Sequence, residues 1–354
     1  MQAELRGWVK EALSVVSQVS IEFHGLSQAG LVSVVVPCFN AERFIAEALE
    51  SALHQTYSEI EIIVIDDGSA DNSARIIQSY RDRIKIQLGP NRGASVARNL
   101  GTALARGEFI QYLDADDLLT PTSVEQRINV MQNSGADVAY SDWDRLVEVE
   151  PGLFEVREQI VRRMEEVHED PEIAVITDFW APPAALTYRR SIVDKIGGWK
   201  EWLPVIQDAR FLQDAAMVGG SFAYSAGVGA KYRAHRGPSL SRRSEFHFVL
   251  DVFRNACDLQ ARFEARDAMG ADHRRALAGI YDYAARSLFF HDRTAFRDCV
   301  ARLYEVEPHF RLSWPKTARL ASAMVGFEAA EKVLSTLKAL RRVASRKTQR
   351  TEIQ

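Results

Sequence analysis

Cysteine is scarce in this chain. The three cysteines, Cys38, Cys257 and Cys299, lie far apart and none belongs to a CxxC pair. That argues against a disulfide framework and a zinc ribbon, and it fits a reducing compartment. Long apolar runs are missing too, since charges interrupt each one before it reaches membrane-spanning length. The opening residues, MQAELRGWVKEALSVVSQVS, have no apolar stretch of the kind a signal peptide carries. Neither sign of charge dominates. Lys plus Arg number 44 against 48 Asp plus Glu, a net charge of −4, so no nucleic-acid partner is expected. A soluble, cytoplasmic protein is the expectation.

What is present is alternation. With 354 residues the chain is long enough for one sizeable core and an appended second unit. Residues 1–30 predict an amphipathic helix and a linker, with Leu5, Val9, Leu13 and Val16 at helical spacing. From Leu31 strands and helices alternate. LVSVVVP is a β-branched run that suits a strand buried on both faces. Phe44, Ile45, Ala48, Leu49, Ala52 and Leu53 then form one apolar helical stripe, with Asn40 placed to cap it. EIEIIVIDD, RIKIQL, EFIQYLD and ADVAYSDW predict further strands. DNSARIIQSY, with Asp71 as its cap, GASVARNLGTALARG and a segment opened by Thr120-Pro121 predict helices. Repeated strand–helix units predict an α/β fold with a mostly parallel sheet flanked by helices. Residues from about 150 to 175 carry no clear pattern. Residues 244–354 read as a helical C-terminal region ending in a basic tail.

Ligands of such sheets bind beyond the carboxyl ends of the strands. Asp-Asp-Gly-Ser (66–69) and Asp-Ala-Asp-Asp (114–117) both fall on that edge. Side chains alternate along a strand, so Asp114 and Asp116 share a side. Two carboxylates there suit a hard divalent cation, Mn2+ or Mg2+, which completes its shell with phosphate oxygens. Helix-capping aspartates before Thr120-Pro121 are the competing reading. Glycine is absent directly after the first strand, where PCFNAERF follows, and no Walker loop occurs. That argues against a dinucleotide-binding turn and a triphosphate cradle. Asp67 suits the imide N–H of a uracil ring, or guanine N–H groups, with a plain turn role as the alternative.

The stretch VSVVVPCFNAERFIAEALESALHQTYSEIEIIVIDDGSADNSA, followed by GPNRGASVARNLGTALARGEFIQYLDADDLLTP, resembles family 2 glycosyltransferases of GT-A fold. The resemblance covers residues 31–121 strongly and 176–243 moderately. It implies a GT-A domain over 31–243, with a nucleotide-binding half at 31–121 and an acceptor half at 176–243. It implies an inverting enzyme that uses a nucleotide-sugar donor, a UDP-sugar favoured, and a saccharide or lipid-linked acceptor. Carried over by position, Pro37 and Phe39 border the nucleobase and Asp67 reads it. Arg98 approaches the base or phosphates, or is a helix-surface charge. Asp114 sits near the ribose and metal, and Asp116 ligates the metal.

The acceptor hydroxyl of such a reaction needs a carboxylate to take its proton. In the family this base follows a GG(W/F) turn. Here IGGWKEWLPVIQDARFLQDAAMVGG has that layout, and Asp208 matches the base. Gln207 stands where an acid usually precedes it. Asp214 is the competing candidate, and an N-cap role for Asp208 is compatible with catalysis. His235, in KYRAHRGPSLSR, matches a family position that contacts diphosphate or completes the metal shell; a structural histidine is the alternative. Arg233 and Arg236 would neutralise phosphate. Trp180, Trp199 and Trp202 are candidates for a sugar-stacking wall or for core packing. The basic tail, from Lys338 to Arg350, suits contact with anionic lipid, against a solvated end. A sugar-nucleotide nucleotidyltransferase and a non-catalytic nucleotide-sugar-binding protein of the same fold are the alternative functional classes.

Overall fold

The computed structural model describes residues 27–237, 244–310 and 329. The predicted N-terminal helix and the basic tail lie outside the described residues.

In chain order the elements begin with β1 (Gln28–Cys38), α1 (Ile45–Leu53), β2 (Ile60–Asp67), α2 (Ser73–Gln78), β3 (Lys85–Gly89), α3 (Ala94–Leu104) and β4 (Gly107–Tyr112). Next come β5 (Leu118–Leu119), α4 (Ser123–Ser134), β6 (Val138–Glu150), β7 (Leu153–Ile160), α5 (Met164–Val167) and α6 (Pro171–Thr177). The rest are β8 (Leu186–Arg189), α7 (Arg190–Ile196), α8 (Gln207–Met217), β9 (Phe222–Ala234), α9 (Glu245–Ala265), α10 (Ala271–His291) and α11 (Arg293–Val306).

The described residues form two compact units. The first holds residues 27–161, 181–199 and 218–234. Its sheet runs β3-β2-β1-β4-β8-β6-β9-β5, with β7 paired to β6. The β-branched run of β1 explains its central place. Val32, Val34, Val35 and Val36 are fully buried, and each such side chain contributes roughly 1.5–3 kcal/mol by leaving water. Parallel pairing joins β1, β2, β3 and β4. Beyond β4 the sheet is mixed: β8 is antiparallel to both β4 and β6, while β6 and β9 are parallel. The patternless stretch after residue 150 contains β7, which forms an antiparallel hairpin with β6. Its side chains are mostly exposed and none is buried.

Two capping expectations are corrected. Asn40 does not cap α1, which begins after Phe44. Its backbone sits at φ 51° and its Oδ1 accepts from Ala70 N at 2.8 Å, so it ties the end of β1 to the loop after β2. Asn72, not Asp71, is the N-cap of α2; Asp71, one residue earlier, accepts from Ser73 N at 2.9 Å.

The second unit holds residues 162–180, 200–217, 235–237 and 244–310. Segments on either side of α7 thus fold with the C-terminal helices. Its centre is the fully buried Arg210 of α8. That guanidinium donates to Asp214 at 2.9 Å, to Asn255 at 2.8 Å and to Asp258 at 2.5 Å, which fastens α8 to α9. Among the described residues no helix is long and apolar enough to cross a membrane.

Candidate active site

The first unit presents two acidic loops at the carboxyl edge of its parallel strands. At the end of β2, Asp66 Oδ1 accepts from Gly68 N at 3.2 Å and Ser69 N at 3.0 Å, forming a tight turn. Gly68 sits at φ 79°, and a Cβ there would lie 2.6 Å from Asn91 N, so only glycine lets the next loop approach. Asp67 fixes that loop: its carboxylate accepts from Arg92 N and Gly93 N, both at 2.8 Å. Each oxygen keeps a further lone pair for a ligand donor. Pro37 is half-buried near the end of β1, and Phe39 just beyond it is 45% exposed. Neighbouring Cys38 is no nucleophile, because burial first, and the Asp66 charge second, push its thiol up to about 12.

The second loop follows β4. Asp117 N donates to Asp114 O at 3.0 Å, closing a turn that turns the chain into β5. Strand β9 holds this turn in place. Arg233 N donates to Asp117 Oδ1 at 2.9 Å, and Arg233 Nη1 donates to Asp116 O at 3.3 Å. The Arg233 guanidinium also pairs with Glu47 and lies over the rings of Phe44 and Phe154. Asp114 and Asp116 are half-buried. Asp117 is only 1% exposed, and its Oδ2 has no hydrogen-bond partner. Burial, then the charges of Asp116 and Asp114, drive its carboxyl well above the usual carboxylate range.

Arg98, expected at the base or phosphates, is 4% exposed and donates from Nη2 to Asp114 Oδ1 at 2.5 Å. Its guanidinium lies 4.4 Å over the Trp199 ring. Trp199 is itself gripped by Asn99, which accepts from Trp199 N at 2.7 Å and donates to Trp199 O at 3.1 Å. Trp199 is therefore a packing residue beneath Arg98.

In the second unit, Asp208 is half-buried in the first turn of α8, and Trp180 Nε1 donates to its Oδ2 at 3.1 Å. Asp214 is 3% exposed and engaged by Arg210 at 2.9 Å and Lys200 at 3.4 Å, a structural role. His235 is buried and Arg236 exposed. Trp180 as a partner of Asp208 was invisible in the sequence, which shows only two residues 28 positions apart.

A divalent cation fits the three-aspartate turn. The turn crowds three carboxylates, leaves a buried carboxylate oxygen unbonded and drives one proton affinity up, and a cation would relieve all three strains. Among the described residues, no three His, Cys, Asp or Glu side chains are placed to hold a metal ion together. Mg2+ and Mn2+ do not require three such side chains, since they take one or two carboxylates together with phosphate and water oxygens.

Comparison with known proteins agrees with this geometry. Residues 33–197 match the profile of Glycosyl transferase family 2. Over this segment, a little under half of its length, the chain is similar to family 2 glycosyltransferases. The chain is 38% identical over 117 residues to the glycosyltransferase GlyG of Streptococcus pneumoniae, covering 32% of this chain and 39% of that protein. It is 31% identical over 173 residues to an uncharacterised glycosyltransferase of Nostoc, covering 47% and 52%. The matches thus span about half or less of these curated relatives. In structure, the chain resembles S. aureus TarS 1–349 in complex with UDP-GlcNAc, with a TM-score of 0.62 and 17% identity over 86% of this chain and 92% of that one. That likeness establishes the fold.

Proposed function

We propose that this chain is an inverting glycosyltransferase. It moves a sugar from a nucleotide-diphosphate donor, a UDP-sugar by preference, to a hydroxyl of a saccharide or lipid-linked acceptor in polysaccharide or glycoconjugate synthesis. The observation that carries this reading is the aspartate turn after β4, where burial first, and the charges of Asp116 and Asp114 second, raise the proton affinity of Asp117. It lies on the same sheet edge as Asp67.

Each residue has a task. Asp67, preset by Arg92 N and Gly93 N, accepts the imide N–H of the base, which Phe39 and Pro37 border. Arg98 orients Asp114 toward the ribose and diphosphate. Asp116 and Asp114 would hold Mn2+ or Mg2+, with His235 as a further ligand on the family resemblance. The cation, when bound, neutralises charge on the departing nucleoside diphosphate. Asp208 takes the acceptor's proton as the acceptor oxygen bonds to the anomeric carbon. The glycosidic electron pair leaves with the diphosphate, and direct displacement inverts the centre. The UDP and UDP-GlcNAc bound by the TarS structures are the reason to try uridine donors first.

The test is release of nucleoside diphosphate from UDP-GlcNAc, UDP-glucose, UDP-galactose and GDP-mannose with Mn2+. One donor should turn over, and Asp208→Asn should abolish turnover while UDP still binds. Pyrophosphate release from UTP and a sugar phosphate would instead identify a nucleotidyltransferase.

A further inference from the structure

We infer that Trp180 is a positioning residue for Asp208: its indole N–H fixes the carboxylate in the orientation from which it accepts a proton. This inference rests on the reading of Asp208 as the base. The contact joins Trp180 Nε1 to Asp208 Oδ2 at 3.1 Å. An aspartate carboxylate turns freely about its terminal torsion, which has only broad preferences. An indole N–H is a donor and nothing else, so this bond holds one of the carboxylate's oxygens.

Both ends of the bond are set by other contacts. On the Asp208 side, Arg210 anchors α8 to Asn255 and Asp258 of α9. On the Trp180 side, Ala174 O of α6 accepts from Asp178 N at 3.2 Å and from Phe179 N at 2.9 Å. Arg162 pairs with the Asp178 carboxylate at 3.2 Å and also donates to Asp178 O. Gln213 Nε2 donates to Val175 O at 3.3 Å and so links α8 to α6 directly. The spacing between Trp180 and Asp208 is therefore imposed on the bond, as expected of a second residue that orients a catalytic one. Apolar packing of this loop is supplied by Phe179, which is buried. Trp180 is half-buried, and its directed N–H is what distinguishes it from its neighbour.

Trp180→Phe keeps an aromatic ring and removes only the donor. The assay follows UDP release from UDP-GlcNAc to water with Mn2+, alongside calorimetric UDP binding and thermal melting. The expected result is a fall in kcat of about tenfold, a fraction of what general-base catalysis contributes. KM for UDP-GlcNAc, the UDP Kd and Tm should stay within about twofold or a degree of wild type, a split that a structural role would not produce. Wild-type kcat in Trp180→Phe, with Asp208→Asn inactive, overturns this inference alone. A loss accompanied by weaker UDP binding or a lower Tm marks Trp180 as structural and also overturns it. Wild-type turnover in Asp208→Asn, or no UDP release by the wild-type protein, instead removes the underlying reading and this inference with it.

Discussion

Arg98 on α3 and Asp114 at the tip of β4 form an ion pair that the Trp199 ring covers. The guanidinium keeps buried Nε and Nη1 donors without a hydrogen-bond partner. Donors buried in that way suit an acceptor group brought in by a ligand.

Replacing Arg98 with Lys keeps the charge but loses the planar fork. UDP binding in the presence of Mn2+ should weaken about tenfold, or ~1.4 kcal/mol. Calorimetry measures this directly, and an unchanged Kd would show that Arg98 serves the fold alone.

Gly101 determines how closely α3, the helix that carries Arg98, lies on β1. A Cβ there would meet Val35 Cγ1 at 2.4 Å and Ile65 Cγ1 at 3.4 Å. Gly101→Ala gains roughly 1 kcal/mol of helix propensity but overpacks the core at a cost of roughly 1–3 kcal/mol. The melting temperature should fall, and UDP affinity should fall with it as Arg98 is displaced. A higher melting temperature would mean that β1 yields.

Arg210 holds two carboxylates in the second unit. Arg210→Ala leaves Asp214 and Asp258 without it and should destabilise that unit by about 3–5 kcal/mol. Hydrogen exchange should report faster opening of α8 and α9. Unaltered protection in these helices would contradict this.

Glu61, away from the candidate site, gives a pH signature. Burial pushes its carboxyl up, but hydrogen bonds from Lys85, Ser33 and Arg106 N and the Lys85 charge outweigh this, leaving it at about 2 against an ordinary 4.5. Because the folded value is the lower one, the carboxylate stabilises the fold fully above about 4.5. That contribution is lost as pH falls from 4.5 towards 2. Glu61→Gln should cost on the order of 2 kcal/mol at pH 7 and far less near pH 2. Urea denaturation at several pH values checks this; an equal loss at every pH would contradict it.

Much of the first unit was readable because its strands are unbroken β-branched runs and its carboxylates stand where such strands end. Asp114 and Asp116 stand out in the sequence because a buried strand rarely terminates in charge without cause. What was not readable depends on pairing between distant positions. Arg233 N reaches Asp117 across 116 residues, and Trp180 reaches Asp208 across 28; neither leaves a local pattern. Strand β7 was not readable because its apolar residues, Leu153, Phe154, Val156 and Ile160, fall on both faces and none of its side chains is buried. Asn40 has a side chain that suits a helix cap, yet its positive φ turns it toward the β2 loop. Asp214 resembles a second base in sequence, and only burial against Arg210 and Lys200 reveals its structural role.

The central claim is that the aspartate turn after β4 binds a cation together with a nucleoside diphosphate. Calorimetric titration of UDP and GDP, each with and without Mn2+, into wild type and Asp116→Asn tests it most directly. The account predicts that one nucleotide binds only with Mn2+ and that Asp116→Asn, still folded, loses this binding. Binding indifferent to both the metal and the substitution would contradict it.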